Sequence, residues 1–87
     1  MEIRIANITH YFARIGVAVL ALVQELKVGD TIHILGHTTD FTQKVASLEI
    51  EHHKVLCVGP GDDVALKIAE PVRKSDVVYK VVEEDVK

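Results

Sequence analysis

Residues 15–23, IGVAVLALV, are apolar on both faces of any regular element that they form. Nine such residues fit either a short buried helix or a strand covered on both sides, and Gly16 together with the density of valine favours the strand. The same bias extends over the whole chain, since 14 of its 87 residues are Val and 8 are Ile. The composition therefore predicts an all-β protein.

The segments on either side of this stretch have strand patterns that change phase. Residues 2–12 carry apolar side chains at odd and then at even positions, which predicts a bulge near Asn7, and residues 41–51 slip in the same way at Ala46 and Ser47. Two bulges in so short a chain favour a sheet that is bent into a barrel. We expect a small closed, Greek-key-like barrel of six or seven strands over residues 1–82, with a frayed, charged tail at 83–87.

Three of the predicted strands follow the same kind of turn. Each turn ends in an aspartate that is preceded by a small residue: Gly29-Asp30, Gly61-Asp62 and Ser75-Asp76. We expect each aspartate to accept a hydrogen bond from the backbone of its turn. This role accounts for Asp62 of the Asp62–Asp63 pair, and since adjacent strand residues diverge, the pair does not indicate acid–base catalysis.

Charge and composition exclude several classes of protein. The net charge is −3 and no segment is strongly basic, which argues against nucleic-acid binding by bulk electrostatics. No apolar run approaches the roughly 20 residues of a membrane span. The single Cys57 cannot close an intramolecular disulfide, and the first residues lack the apolar centre of a secretory signal, so we expect a cytoplasmic protein.

Several short segments of the sequence resemble segments of known families. LKVGD at 26–30, VASLEI at 45–50 and GDDVAL at 61–66 resemble, in this order, the second domain of elongation factor Tu and its translation-GTPase relatives. Over nearly the whole chain, THYF, IGVAV, LKVGD, TTDF and VRKSDVVYKV look most similar to the small C-terminal barrel of collagenase-like peptidases linked to RNA hydroxylation. The chain has no G-x-x-x-x-G-K-[ST] loop, so we expect no GTP hydrolysis by it alone.

The elongation-factor resemblance implies one binding segment. In that family the corresponding strand start helps to hold the aminoacylated end of tRNA, and its positions here are Gly61, Asp62, Asp63 and Val64. Asp63 stands where the family has Asn, and Ala65 where it has Gly. Since an added carboxylate repels phosphates, the substitution at Asp63 weakens this implication.

A local group of basic side chains suggests a second contact with RNA. If folding gathers them, phosphates could bind despite the acidic whole, and the alternative is an ordinary solvated strand edge. The predicted RNA-binding residues are Lys44, His52, His53, Lys54, Arg73 and Lys74.

The remaining reactive side chains do not form a convincing catalytic or metal-binding set. His52 and His53 are adjacent, so on a strand they point to opposite faces. His33 and His37 have helical spacing in a segment with a strand pattern, and Cys57 lies in VLCV, where a small hydrophobe is the simpler interpretation. We therefore predict no enzyme activity, no metal site and no cofactor.

The two apolar faces of residues 15–23 predict a protein contact. With Ile15, Val17, Val19 and Val23 pointing inward, the opposite face would be exposed, where a small monomer has no second layer to cover it. The predicted interface residues are Ala18, Leu20 and Leu22, and they would meet a second copy of the chain or a separate enzyme subunit. The alternative is that a terminal segment, residues 81–86, folds over this face.

Together these features predict a stand-alone, non-catalytic adaptor that binds RNA or protein in translation or RNA modification. The alternative is an accessory subunit of a collagenase-like peptidase or RNA-modifying enzyme that is encoded separately. RNA binding should weaken with added salt, whereas docking through an apolar face should resist it.

Overall fold

The structure is a computed structural model that describes residues 1–82, which form ten β-strands and no helix. The predicted frayed tail at 83–87 lies outside the described residues. The strands are β1 (Glu2–Phe12), β2 (Val17–Leu22), β3 (Leu26–Lys27), β4 (Thr31–Leu35), β5 (Asp40–Lys44), β6 (Leu48–Ile50), β7 (His53–Val55), β8 (Cys57–Val58), β9 (Asp63–Lys67) and β10 (Val77–Val81). The all-β prediction is confirmed.

Eight of these strands form one antiparallel sheet in the order β5-β4-β10-β1-β2-β9-β6-β7, and β3 and β8 form a separate pair. Because β5 and β7 are edge strands that do not pair with each other, the sheet is open. The predicted closed barrel of six or seven strands is therefore not what residues 1–82 form. The first and last of the ten strands, β1 and β10, lie side by side in the middle of the sheet.

One side chain takes the place of a backbone ladder at the open edge of β5. Gln43 donates from Nε2 to the carbonyl oxygen of Lys67 at 2.8 Å and accepts the N–H of Ala69 at Oε1 at 2.7 Å. The sheet curves far enough to bring β5 close to the segment after β9. No backbone hydrogen bonds pair β5 with this segment, and the side chain of Gln43 connects the two instead.

The predicted phase changes correspond to two different structures. In β1 the pairing register shifts between Arg4 and Ala6 toward β10, and between Ile8 and His10 toward β2, so the irregularity predicted near Asn7 is present on both of its sides. Residues 41–51 are not one bulged strand but β5 and β6. The strand is interrupted between them because Val45 bonds to the turn before β4. Its carbonyl oxygen accepts the Gly29 N–H at 2.9 Å, and its N–H donates to the Asp30 carbonyl oxygen at 2.8 Å.

Residues 15–23 contribute the strand β2, and its orientation is opposite to the prediction. Ala18, Leu20 and Leu22 are 0%, 0% and 3% exposed and lie in the core, so they cannot form a protein interface. Both faces of this segment are apolar, so alternation alone could not assign them. Pairing decides the orientation: Leu20 lies between Ile8 of β1 and Val64 of β9, and both of these side chains are buried.

The three aspartate turns share one geometry, as predicted. Oδ2 of each aspartate accepts the backbone N–H of the residue three positions earlier: Asp30 from Lys27 at 3.0 Å, Asp62 from Gly59 at 2.9 Å and Asp76 from Arg73 at 2.8 Å. The residue before each aspartate has a positive φ, at 98° for Gly29, 90° for Gly61 and 80° for Ser75. This is the type II turn, in which glycine avoids the steric cost that Ser75 carries.

Candidate functional site

An apolar groove lies on the outer face of the sheet, across β1, β2 and β9. Val17 and Val19 of β2 point away from the core and are half-buried, and they lie beside Ala65 of β9. Phe12 and Ile15 close one end of the groove and remain 49% and 61% exposed. We call the surface formed by these five residues the outer groove.

The outer groove is large and open, with a volume of about 690 Å³. Large exposed side chains that adjoin one another on a small protein mark a contact surface more often than scattered ones do. Within residues 1–82 the uncovered face of residues 15–23 is that of Val17 and Val19, not the face of Ala18, Leu20 and Leu22.

Charged side chains surround the outer groove. Lys67 and Asp63 lie on β9 at opposite ends of the groove, because they pair with Val17 and Ala21 respectively. Glu49 of β6 faces Ala65, and Lys54 of β7 faces Glu49. Within residues 1–82 the ion pairs are those of His33, so these rim charges have no ionic partner among the described side chains.

The predicted RNA-binding residues do not form one patch. His52 and Lys54 line the outer groove, whereas His53 does not. Lys44 lies on β5, at the other edge of the sheet order from β7. The last two predicted residues, Arg73 and Lys74, belong to the turn before β10. RNA binding itself remains a prediction.

The four residues implied by the elongation-factor resemblance are divided between different surroundings. Val64 is fully buried in the core, and Gly61 is the positive-φ residue of its turn. Asp62 caps that turn, while Asp63 points to the rim of the outer groove. Of these four residues, Asp63 alone has an exposed side chain that makes no hydrogen bond within residues 1–82.

A second cavity of about 570 Å³ lies between the β3–β8 pair and two of the aspartate turns. Asp30 and Asp62 line it, and Lys80 donates from Nζ to the carbonyl oxygen of Glu25 at 3.1 Å at its border. Cys57 also lines this cavity; it is exposed on β8, which pairs with β3 alone, as expected for a small side chain on an edge strand.

His33 forms an ionic cluster that the sequence analysis missed. Its Nδ1 lies 2.9 Å from Oε1 of Glu2 and its Nε2 lies 2.6 Å from Oδ1 of Asp40. The hydrogen bonds with Asp40 and then Glu2 raise the pKa of His33, because both ring nitrogens can donate only in the imidazolium form. No sequence signal could identify this cluster, since Glu2 is 31 residues from His33 and is brought near it by β10.

Two features are absent from the described part of the chain. Within residues 1–82 no group of three His, Cys, Asp or Glu side chains has the arrangement needed to hold a metal ion. No helix long and apolar enough to cross a membrane occurs among them either.

Comparison with solved structures defines the fold. The chain is similar to the C-terminal domain of a Geobacillus thermoleovorans protein assigned to the U32 peptidases, with a TM-score of 0.85 and 18% identity over 90% of this chain and 91% of that domain. The selenomethionine variant of the same domain gives a TM-score of 0.82. The chain thus has the fold of a U32 peptidase C-terminal domain.

Sequence relatives agree with this fold. An uncharacterised protease of Methanocaldococcus jannaschii is 35% identical over 90% of this chain, and a collagenase of Porphyromonas gingivalis is 38% identical over 80% of it. The chain spans only about a fifth of the length of either relative, 19% and 20% respectively. No protein-family model matches the chain.

The comparisons separate the two predicted resemblances. The similarity to collagenase-like peptidases is supported by both kinds of comparison. The relatives reported above include no translation factor, so neither the similarity to the second domain of elongation factor Tu nor a role in translation gains support.

Proposed function

We propose that this chain is a non-catalytic accessory module of a collagenase-like U32 peptidase, which is the peptidase part of the alternative that the sequence suggested. The observation that carries this proposal is the extent of the match with the relatives. Nearly the whole chain corresponds to about a fifth of a protein named as a protease. A module of this size that accompanies a much larger remainder is typical of an accessory domain.

The structure of the module fits a binding role better than a chemical one. Catalysis needs a nucleophile, base or metal whose geometry is fixed by neighbouring groups. The ring of His33 is held between the carboxylates of Glu2 and Asp40, and it lies on β4 outside both cavities. The outer groove instead offers apolar contact with charged borders, which is the usual composition of a protein-binding surface.

A segment-exchange experiment tests the proposal. The Porphyromonas gingivalis collagenase would be produced intact, without the 72-residue segment that matches this chain, and with this chain in place of that segment. Hydrolysis of denatured collagen would be measured for all three proteins and for the isolated chain. We expect the deletion to lose most activity, the exchange to restore a substantial part, and the isolated chain to show none.

Two controls make the result specific. Reinsertion of the native segment shows that the junctions are tolerated, and insertion of an unrelated β-domain of similar size shows that bulk alone does not restore activity. A deletion as active as the intact protein would contradict an accessory role. Hydrolysis by the isolated chain would contradict the non-catalytic assignment.

A further inference from the structure

The described part of the chain does not cover the outer groove, whose side chains Phe12 and Ile15 remain exposed. The chain leaves the sheet at Val82, whose N–H donates to the carbonyl oxygen of Met1 at 2.8 Å. Phe12 is at the opposite end of β1. About ten extended residues at roughly 3.3 Å each would be needed to reach the outer groove from there. Residues 1–82 thus leave the outer groove uncovered.

The charges on β9 indicate which kind of partner fits the outer groove. Along β9 the outward-facing residues are Lys67, Ala65 and Asp63, which gives a positive end, an apolar centre and a negative end. Beside them on β2 lie Val17, Val19 and Ala21. A two-fold axis that crosses the strands at Val19 and Ala65 exchanges the two ends of this pattern. A surface of this kind is complementary to itself, as a two-fold interface requires.

We propose that the outer groove is closed by the outer groove of a second copy of this chain, with Lys67 of each copy facing Asp63 of the other. The apolar centre then packs on itself, so that Val19 meets Val19 and Ala65 meets Ala65. Phe12 and Ile15 lose their exposure to water in the same contact. The same axis places Glu49 opposite Glu49 and Lys54 opposite Lys54, and each Glu49 lies directly beside Lys54 of its own chain, which offsets these like-charge contacts.

The charge pattern favours a second copy over other occupants. A strongly charged ligand would need one sign of charge around the groove, whereas acidic and basic side chains here are both present and are separated along β9. The proposal does not depend on the accessory role, because it concerns contact between identical chains.

Sedimentation velocity of the isolated chain tests the proposal, at concentrations from about 1 μM to about 1 mM, the range of weak protein association. We expect the mass to rise from 9.6 kDa toward twice this value. Val19→Lys places a charge at the centre of the contact and should remain monomeric throughout. A wild-type chain that is monomeric at the highest concentration overturns the proposal, and so does a dimer that Val19→Lys leaves intact.

Charge reversal distinguishes this two-fold contact from any other dimer. Lys67→Asp and Asp63→Lys should each be monomeric, because each places like charges opposite one another across the axis. An equimolar mixture of the two variants should form a heterodimer, since both pairs between positions 63 and 67 are then of opposite sign. Lys44→Asp on β5 is the matched control and should dimerise as the wild type does. If the mixture stays monomeric while both variants remain folded, the proposed pairing is wrong.

Discussion

Asp76 should be the most important of the three turn aspartates for stability. Its side chain is 5% exposed, and its Oδ2 accepts both the Arg73 N–H at 2.8 Å and the hydroxyl of Thr39 at 2.6 Å. Asp30 and Asp62 are half-buried and each accepts one such bond. The structure thus provides an internal series in which burial and the number of bonds increase together.

The magnitude follows from these bonds. Each hydrogen bond to a charged group contributes about 1.5–3 kcal/mol, and Asp76→Ala removes two of them. The variant also removes the desolvation cost of a buried carboxylate, so the net loss of stability should be about 3–4 kcal/mol. Asp30→Ala should cost about 1.5 kcal/mol, because one bond is lost at a more exposed position. A domain of this size has a free energy of unfolding of about 4–13 kcal/mol. At about 4–8 °C per kcal/mol, Asp76→Ala should lower Tm by roughly 12–32 °C.

Urea unfolding followed by circular dichroism measures this series. Thr39→Val removes one partner of Asp76, and the double variant Asp76→Ala with Thr39→Val should cost less than the sum of the single variants, because they share one hydrogen bond. If Asp76→Ala is no more destabilising than Asp30→Ala, then neither the deeper burial of Asp76 nor its hydrogen bond with Thr39 adds to stability, and the reasoning is wrong.

Three further predictions concern single positions. Ser75→Gly should raise the free energy of unfolding by about 0.5–1 kcal/mol by removing the cost of a positive φ, and a lower urea midpoint would contradict this. The raised pKa of His33 means that its ionic cluster stabilises the fold fully below pH 6.5, the usual pKa, and loses this contribution as the pH rises through the folded-state value. His33→Gln should therefore reduce the fall of the urea midpoint as the pH rises from 6.5 through the folded-state pKa. An unchanged fall would show that other groups cause it. Leu20→Ala should cost about 2–5 kcal/mol and Val19→Ala clearly less in the monomer, and equal costs would contradict the observed orientation of β2.

Local signals in the sequence were sufficient for the turns and the class of fold. The role of Asp30, Asp62 and Asp76 could be predicted because donor and acceptor are three residues apart, so no tertiary information is needed. The excess of Val and Ile likewise predicted strands. In both cases the interaction that decides the structure lies within a few residues.

Features that depend on pairing between distant strands could not be predicted in the same way. The inward face of β2 is decided by Ile8 and Val64, which lie 12 and 44 residues from Leu20 (20 − 8 and 64 − 20). A shift of one residue in register exchanges the two faces of a strand, and an evenly apolar segment gives no means to choose between them. The cluster at His33 escaped prediction for the same reason.

The close approach of Met1 and Val82 has a consequence for how this domain can be combined with others. The N-terminal amine of Met1 donates to the carbonyl oxygen of Val82 at 3.2 Å, and the two strands that follow and precede these residues form the centre of the sheet. A host protein could accept the domain as an insertion within a surface loop, since entry and exit lie at one point. Circular permutants joined there should fold, whereas new termini within β1 or β10 would interrupt a central strand of the sheet.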